Sequence, residues 1–154
     1  MAVYEIRDMR KEDIPDILLL LEAMTNEGVY SNYELNHGRS QYVIEAILGQ
    51  DGVFTQCFVA DGVVKGFFAG QVVTHEFVQC HMASDLGFYI AQEHRKGSWG
   101  VRLIKNFEAW CMSEDVECDM IRLSVFAGVA NERTGALLFN LGYADAGTLH
   151  VKET

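Results

Sequence analysis

Residues 88–104 read FYIAQEHRKGSWGVRLI, and the fold is decided in this stretch. An apolar strand ending at Ile90 passes through a short polar turn into a helix that begins at Trp99, with apolar residues recurring along one face. Such a turn directs free backbone N–H groups and the positive end of a helix dipole at one point. Proteins hold a diphosphate in this way with few side chains.

Four residues of the turn suit a phosphate group. Gly97 and Gly100 let the backbone approach closely, and Arg95 and Lys96 can add charge-assisted contacts. Taken alone, two glycines in a strand-to-helix turn serve local geometry as often as a ligand. The turn is neither a Walker loop, which needs a Lys-Ser or Lys-Thr pair, nor a dinucleotide fingerprint, which needs three spaced glycines.

The rest of the chain alternates strands and helices. Apolar periodicity, turn residues and caps predict strands over 2–7, 52–60, 63–74, 82–90, 120–126 and 143–151, and helices over 11–24, 40–48, 99–111 and 131–140. The dipeptide Asp61-Gly62 predicts a tight hairpin between two of the strands. The strands on either side of helix 99–111 should lie side by side and parallel. We predict one α/β domain over 1–154, with a mixed sheet of about six to seven strands and helices on both faces.

Composition narrows the function classes. The 154 residues are 49% hydrophobic, and 12 Lys and Arg against 22 Asp and Glu give a formal charge of −10, which disfavours nucleic acid and anionic membranes. No apolar run of about 20 residues and no export signal is present, so we predict a soluble cytoplasmic protein. The four cysteines are too scattered for a zinc site, and no metal is predicted.

Segment 86–104 resembles the acetyl-CoA-binding motif of the GNAT acetyltransferases, whose pattern is Arg or Gln, two residues, Gly, one residue, then Gly or Ala. Arg95 takes the first place and Gly100 the last, whereas Ser98 stands where the first glycine is usual, a glycine that has in effect moved to Gly97. A second resemblance lies in 131–143. Asn131, a small residue three places later and the final Leu-Gly-Tyr follow the family's spacing.

The resemblance implies an N-acetyltransferase that moves an acetyl group from acetyl-CoA directly to an amine of a small molecule, peptide or protein. In the family, acetyl-CoA lies where two parallel strands splay apart, here 82–90 and 120–126. The implied cofactor-binding residues are Phe88, Tyr89, Ile90, Arg95, Lys96, Gly97, Ser98, Trp99, Gly100 and Asn131. Asn131 serves equally well as a plain helix cap.

The implied catalytic set departs from the family. The tyrosine that protonates the leaving thiolate in many relatives is Leu138 here, and the usual basic glutamate falls at Ser84, beside Asp85. His75 and Glu76, near the same end of the sheet, are further candidates, as is His81. Each of these side chains could equally be an ordinary part of a strand edge.

Tyr30, Tyr33 and His37 belong to the loop that closes over the acceptor in the family, and aromatic rings attract cationic groups. They are the candidate substrate contacts, with loop packing as the other interpretation. A catalytically degenerate GNAT-fold CoA sensor and a phage-type modifier of a host target are the alternative functions. The acceptor and the oligomeric state, for which a homodimer is one option, are left open by the sequence.

Overall fold

The computed structural model describes residues 1–124 and 131–154. In chain order the elements are β1 (Tyr4–Asp8), a 3-10 turn (Lys11–Asp13), α1 (Ile14–Glu27), α2 (His37–Ile47), β2 (Val53–Ala60), β3 (Val63–Thr74), β4 (His81–Ile90), a second 3-10 turn (Gln92–His94), α3 (Trp99–Cys111), β5 (Met120–Arg122) and α4 (Asn131–Asn140). The five strands in the described residues form one sheet in the order β1-β2-β3-β4-β5. The first three pairings are antiparallel and β4 pairs with β5 in parallel, so the predicted mixed sheet is confirmed.

The β2–β3 hairpin closes where the sequence predicts. Asp61 and Gly62 have φ values of 50° and 81°, the left-handed conformation that a two-residue hairpin turn of this type requires. Ala60 pairs directly with Val63 across the turn. The local turn chemistry therefore sets the register at the start of the β2–β3 pair.

Alternation along the strands gives the sheet two apolar faces. Cys57 and Phe67 point to the face covered by α1 and α2, whereas their neighbours Phe58 and Phe68 point to the face covered by α3 and α4. The helices thus lie on both sides, as predicted. Cys57 is a buried free thiol, in keeping with the four unpaired cysteines.

A buried ion pair fixes the start of α1. The Arg7 guanidinium of β1 donates to both carboxylate oxygens of Asp13, at 2.7 and 2.8 Å, and the backbone N–H of Arg10 donates to the same carboxylate at 2.8 Å. Asp13 is only 6% exposed. The hydrogen bonds from Arg7 lower the pKa of Asp13 despite its burial. α1 then begins with Pro15 in its first turn, where a missing N–H costs little.

β4 and β5 diverge after three paired positions. β5 pairs only with Met82, Ala83 and Ser84 of β4, so from Asp85 to Ile90 this edge of β4 has no strand partner in the described part of the chain. On the other edge a bulge interrupts the β3 pairing, because Ala69 faces Gly87 and Gly70 faces Asp85, which leaves Leu86 unpaired. The divergence leaves a gap in the layer between β4 and β5.

Two predictions about the elements are wrong. The predicted strand over 143–151 is absent. Residues 144–147, Ala-Asp-Ala-Gly, have low β propensity, and Leu149 and Val151 are 62% and 66% exposed, so no apolar face drives pairing. Five strands are present in the described ranges, slightly fewer than the predicted six to seven and compatible with the predicted mixed sheet. The second helix begins at His37, because the Asn36 side chain accepts the N–H of Arg39 and caps it. The end of the predicted strand 120–126 lies outside the described residues.

No helix within residues 1–124 and 131–154 combines the length and apolarity needed to cross a bilayer.

Candidate functional site

A cavity of about 400 Å³ opens where β4 and β5 diverge. One wall is residues 85–90 of β4, and the turn before α3 and the start of that helix form the floor. α1 contributes Met24 and Thr25, and α4 contributes Arg133, Thr134 and Leu137. The cavity therefore runs along the edge of β4 that has no strand partner in the described residues, where backbone N–H and C=O groups can face a ligand.

The floor of the cavity suits an anion. The first hydrogen bond of α3 runs from the N–H of Arg102 to the carbonyl of Ser98 at 3.0 Å, and the Ser98 side chain caps none of the N–H groups between them. Gly100 and Val101, in this uncapped turn, line the cavity. A Cβ on Gly100 would lie 3.2 Å from Phe88 Cζ, so glycine lets the helix approach β4 closely at this point.

Arg133 brings a cation to the same end of the cavity. It is an exposed residue in the first turn of α4, and its Nη2 donates to the backbone carbonyl of Arg95. A positive charge near a helix N-terminus opposes the helix dipole. An anion bound in the cavity would offset that cost, and Arg133 is placed to contact it.

The Arg95 side chain has a different role from the one that its position in the motif suggests. Its Nε donates to the carbonyl of Ile90 at 2.9 Å, and its Nη2 lies 2.8 Å from a carboxylate oxygen of Glu27. The guanidinium also lies over the ring of Tyr89, 5.1 Å from the centroid. These contacts commit Nε and Nη2 of Arg95 to other groups of the protein, although Arg95 still lines the cavity.

Asp85 bridges the two strands at the point where they separate. Its Oδ1 accepts the backbone N–H of Ser124 at 2.9 Å, and the Ser124 hydroxyl lies 3.3 and 3.2 Å from the two carboxylate oxygens. Both residues line the cavity. Burial raises the pKa of Asp85, although the hydrogen bonds from Ser124 oppose the effect. The cavity therefore contains a carboxylate that is a stronger base than an ordinary aspartate.

The structure brings together six of the ten candidate cofactor-binding residues. The residues lining the cavity are Phe88, Tyr89, Ile90, Arg95, Gly97 and Gly100. Trp99 instead stacks on Phe58 at a centroid distance of 4.5 Å, within the core beneath α3. Lys96 and Ser98 are exposed beside the cavity. The side chain of Asn131 lies outside the described part of the chain.

The candidate catalytic residues separate into two groups. Asp85 lines the cavity, and Ser84 precedes it on β4 without lining it. His75 and Glu76 follow the end of β3, and the N–H of His75 bonds the carbonyl of Cys80. Cys80 precedes Asp85 by five residues. At ~3.3 Å per residue, His75 and Glu76 therefore lie roughly 16 Å along the strand from Asp85.

The candidate substrate contacts separate in the same way. Tyr30 lines the cavity, and its carbonyl accepts the N–H of Tyr33 at 2.9 Å. Tyr33 does not line the cavity and is 57% exposed. His37 was expected in the loop and instead starts α2. Only Tyr30 is in a position to contact a ligand in the cavity.

Sequence reasoning missed Ser124, Arg133 and Glu27. Glu27 is the last residue of α1 and Arg133 is near the start of α4, so each charge lies at the end of a helix that the dipole disfavours. Charges at disfavoured helix ends are a signal that could have identified both residues. Ser124 has no such signal, because its contact with Asp85 depends on the divergence of β4 and β5.

Comparison with known proteins gives structural neighbours only. No protein-family model and no curated protein sequence matches the chain. One similar structure is an aminoglycoside N-acetyltransferase AAC(6')-Iy in complex with CoA, with a TM-score of 0.76 and 16% identity over 100% of this chain and 96% of that one. A ribosomal-protein-alanine N-acetyltransferase from Brucella melitensis biovar Abortus has a TM-score of 0.71 and 14% identity over 99% of each chain. A GNAT family acetyltransferase from Staphylococcus aureus has a TM-score of 0.61 and 18% identity over 98% of each chain.

These likenesses span nearly the whole of each chain at low identity, and they show the fold. The chain has the fold of the GNAT acetyltransferases, so the predicted resemblance is confirmed at the level of architecture.

Proposed function

We propose that this chain, which has the GNAT fold, is an acetyl-CoA-dependent N-acetyltransferase acting directly on an amine. The single observation that carries the proposal is the cavity along the edge of β4 that lacks a strand partner in the described residues. The cavity joins a carboxylate at one end to uncapped helix N–H groups at the other. When bound, acetyl-CoA would supply an acetyl group activated as a thioester. Its acceptor would be an amine of a small molecule, a peptide or a protein.

The residues of the cavity fit the two parts of the coenzyme. Within residues 1–124 and 131–154 the backbone of Phe88 and Tyr89 has no strand partner on this edge, so it could hydrogen-bond an extended amide-bearing arm as another strand would. The Ile90 carbonyl already accepts a hydrogen bond from Arg95. The N–H groups around Gly100 and the guanidinium of Arg133 can hold a diphosphate. Arg95 would act indirectly, by fixing the turn that presents these groups.

Asp85 is the proposed general base. An amine acceptor must lose a proton before or as it attacks, and the Asp85 carboxylate is the titratable acid that lines the cavity where the strands diverge. Its raised pKa brings it closer to the working range of a base near neutral pH. Leu86, which the bulge leaves without a β3 partner, also lines the cavity, and its backbone N–H is the proposed donor that would polarise the thioester carbonyl. His75 and Glu76 remain secondary candidates.

The test is direct detection of an acetylated product. The purified chain is incubated with acetyl-CoA and a panel of amines that includes aminoglycosides, polyamines and peptides with N-terminal alanine or internal lysine. Mass spectrometry follows both the amine and free CoA, which avoids thiol reagents that would react with the protein's own cysteines. We expect one class of amine to gain an acetyl group with stoichiometric release of CoA. Absence of product from every class, with CoA bound, would remove the enzymatic proposal.

One observation favours a second candidate, a CoA-binding sensor without turnover. Leu138, which stands where many relatives have a thiolate-protonating tyrosine, is 9% exposed and packs in the core, so no side-chain acid is available at that position. CoA binding with no acetylated product would support this candidate. Product formation would remove it.

A further inference from the structure

Three side chains form a charged cluster behind the anion-binding end of the cavity, here called the Glu27 cluster: Glu27, Tyr89 and Arg95. Arg95 Nη2 lies 2.8 and 3.0 Å from the two carboxylate oxygens of Glu27, and the Tyr89 hydroxyl donates to the same carboxylate. The side chains of Glu27 and Arg95 are 22% and 19% exposed. The cluster links α1 to β4 and to the turn before α3, which are 62 and 68 residues away in sequence.

Glu27 is ionised at a position where the helix dipole disfavours a negative charge. It is the last residue of α1, where a negative charge opposes the helix dipole. Burial alone would raise its pKa, but the hydrogen bonds from Tyr89 and Arg95 outweigh burial, and the pKa is lowered. The carboxylate is therefore charged at neutral pH, and its position depends on its two partners.

The cluster connects the two sides of the cavity. On one side, Arg95 holds the carbonyl of Ile90 through its Nε, and its own carbonyl accepts Arg133, so the turn before α3 is fixed through this residue. On the other side, Glu27 directly precedes the loop 28–36, in which Tyr30 lines the cavity. A shift of the turn before α3 displaces the Arg95 atoms that contact Glu27. A shift of Glu27 together with loop 28–36 displaces the carboxylate that contacts Arg95.

We propose that Glu27 is a positioning residue that couples the anion-binding turn to loop 28–36, so that a bound diphosphate orders the loop against which the acceptor packs. This inference rests on the proposed function for its ligand. A ligand at Gly97 and Gly100 restrains Arg95, Arg95 restrains Glu27, and Glu27 restrains the loop. Because binding couplings are reciprocal, ordering the loop also tightens CoA binding.

Hydrogen exchange of the full chain with and without CoA tests the coupling. The variants are Glu27→Gln and its matched control Glu22→Gln, an exposed glutamate of the same helix. Each protein is measured free and with CoA at about ten times its own dissociation constant. We expect CoA to slow amide exchange in 28–36 by about tenfold in the wild type and in Glu22→Gln. In Glu27→Gln, CoA should still slow exchange in 97–101 but leave 28–36 unchanged.

The ratio of the amide exchange rates without and with CoA distinguishes coupling through Glu27 from a purely structural role of Glu27. If Glu27 only stabilised α1, its replacement would speed exchange in 28–36 with and without CoA, and CoA would still protect the loop. Equal protection of the loop in Glu27→Gln and wild type overturns the inference, as does an unprotected loop in the wild type. Should Glu27→Gln fail to fold, Tyr89→Phe removes one of the bonds to Glu27, and partial loss of loop protection is then expected. CoA that protects neither segment of the wild type removes the proposed function itself.

Discussion

Replacing Asp85 by asparagine tests the chemistry of the cavity with little change to its architecture. The asparagine side-chain oxygen can still accept the backbone N–H of Ser124, so the bridge between β4 and the segment after β5 is kept. What is lost is the ability to take a proton. Asp119→Asn is the matched control, because the Asp119 carboxylate also accepts a backbone N–H from the neighbouring strand, that of His81 at 2.8 Å, and it does not line the cavity.

The size of the effect follows from what Asp85 contacts. Its hydrogen bonds go to Ser124 and none goes to the anion-binding turn, so CoA affinity should change by less than about threefold. Loss of a positioned general base slows the reaction by about 10²- to 10⁴-fold, which raises the barrier by about 3–5 kcal/mol. The control should stay within about threefold of the wild type.

The assay is kcat/KM against pH, with the amine that gives product in the panel. Asp85 must be ionised to accept a proton, so the wild-type rate should fall as pH drops through its pKa, which burial raises above the ordinary value of 3.8. In Asp85→Asn that acid limb should disappear along with most of the rate. A variant that keeps nearly the full rate and the same acid limb would show that Asp85 is not the base.

Three further predictions concern stability and binding. Asp13→Asn breaks the buried pair with Arg7 and should destabilise the fold by about 3 kcal/mol, a melting point lower by roughly 6–12 °C in a calorimetric scan. The pKa of Asp13 is lower in the folded state than in the unfolded state. The Asp13 carboxylate therefore contributes fully to the free energy of unfolding above the unfolded pKa of about 3.9, and this contribution is lost as pH falls through the folded pKa. The stabilities of Asp13→Asn and the wild type should therefore converge in acid. Gly70→Ala would put a Cβ 2.5 Å from Phe107 Cε2 and should cost about 1–3 kcal/mol in urea unfolding; an unchanged midpoint would contradict the close contact. Arg133→Gln should weaken CoA binding about fivefold while leaving pantetheine binding unchanged, and equal losses for both ligands in calorimetry would contradict a phosphate role.

The parts of the fold that depend on short-range sequence features, such as turn dipeptides and apolar periodicity, could be predicted from the sequence. The hairpin at Asp61-Gly62 follows from the positive φ values that this dipeptide tolerates, and α3 begins and ends where its apolar periodicity does. The strand predicted over 143–151 failed because alternation alone does not form a strand without a face to bury. The start of α2 was placed too late because the cap is Asn36.

The site was predicted less completely because its contacts join distant segments. The turn before α3 could be recognised from its glycines, yet the partner of Arg95 is Glu27, 68 residues away. The bulge at Leu86 and the early end of the β4–β5 pairing depend on strand register, which no single segment encodes. Asp85 could be proposed as a base because the family resemblance places the usual basic glutamate next to it, at Ser84, whereas its contact with Ser124 could not be predicted.

Calorimetric titration of the wild-type chain with CoA tests most directly whether the gap between β4 and β5 is a coenzyme site. We expect one molecule of CoA to bind per chain with a dissociation constant in about the micromolar range, and Arg133→Gln to raise that dissociation constant. No heat at millimolar CoA, from protein that melts cooperatively, would contradict the coenzyme site.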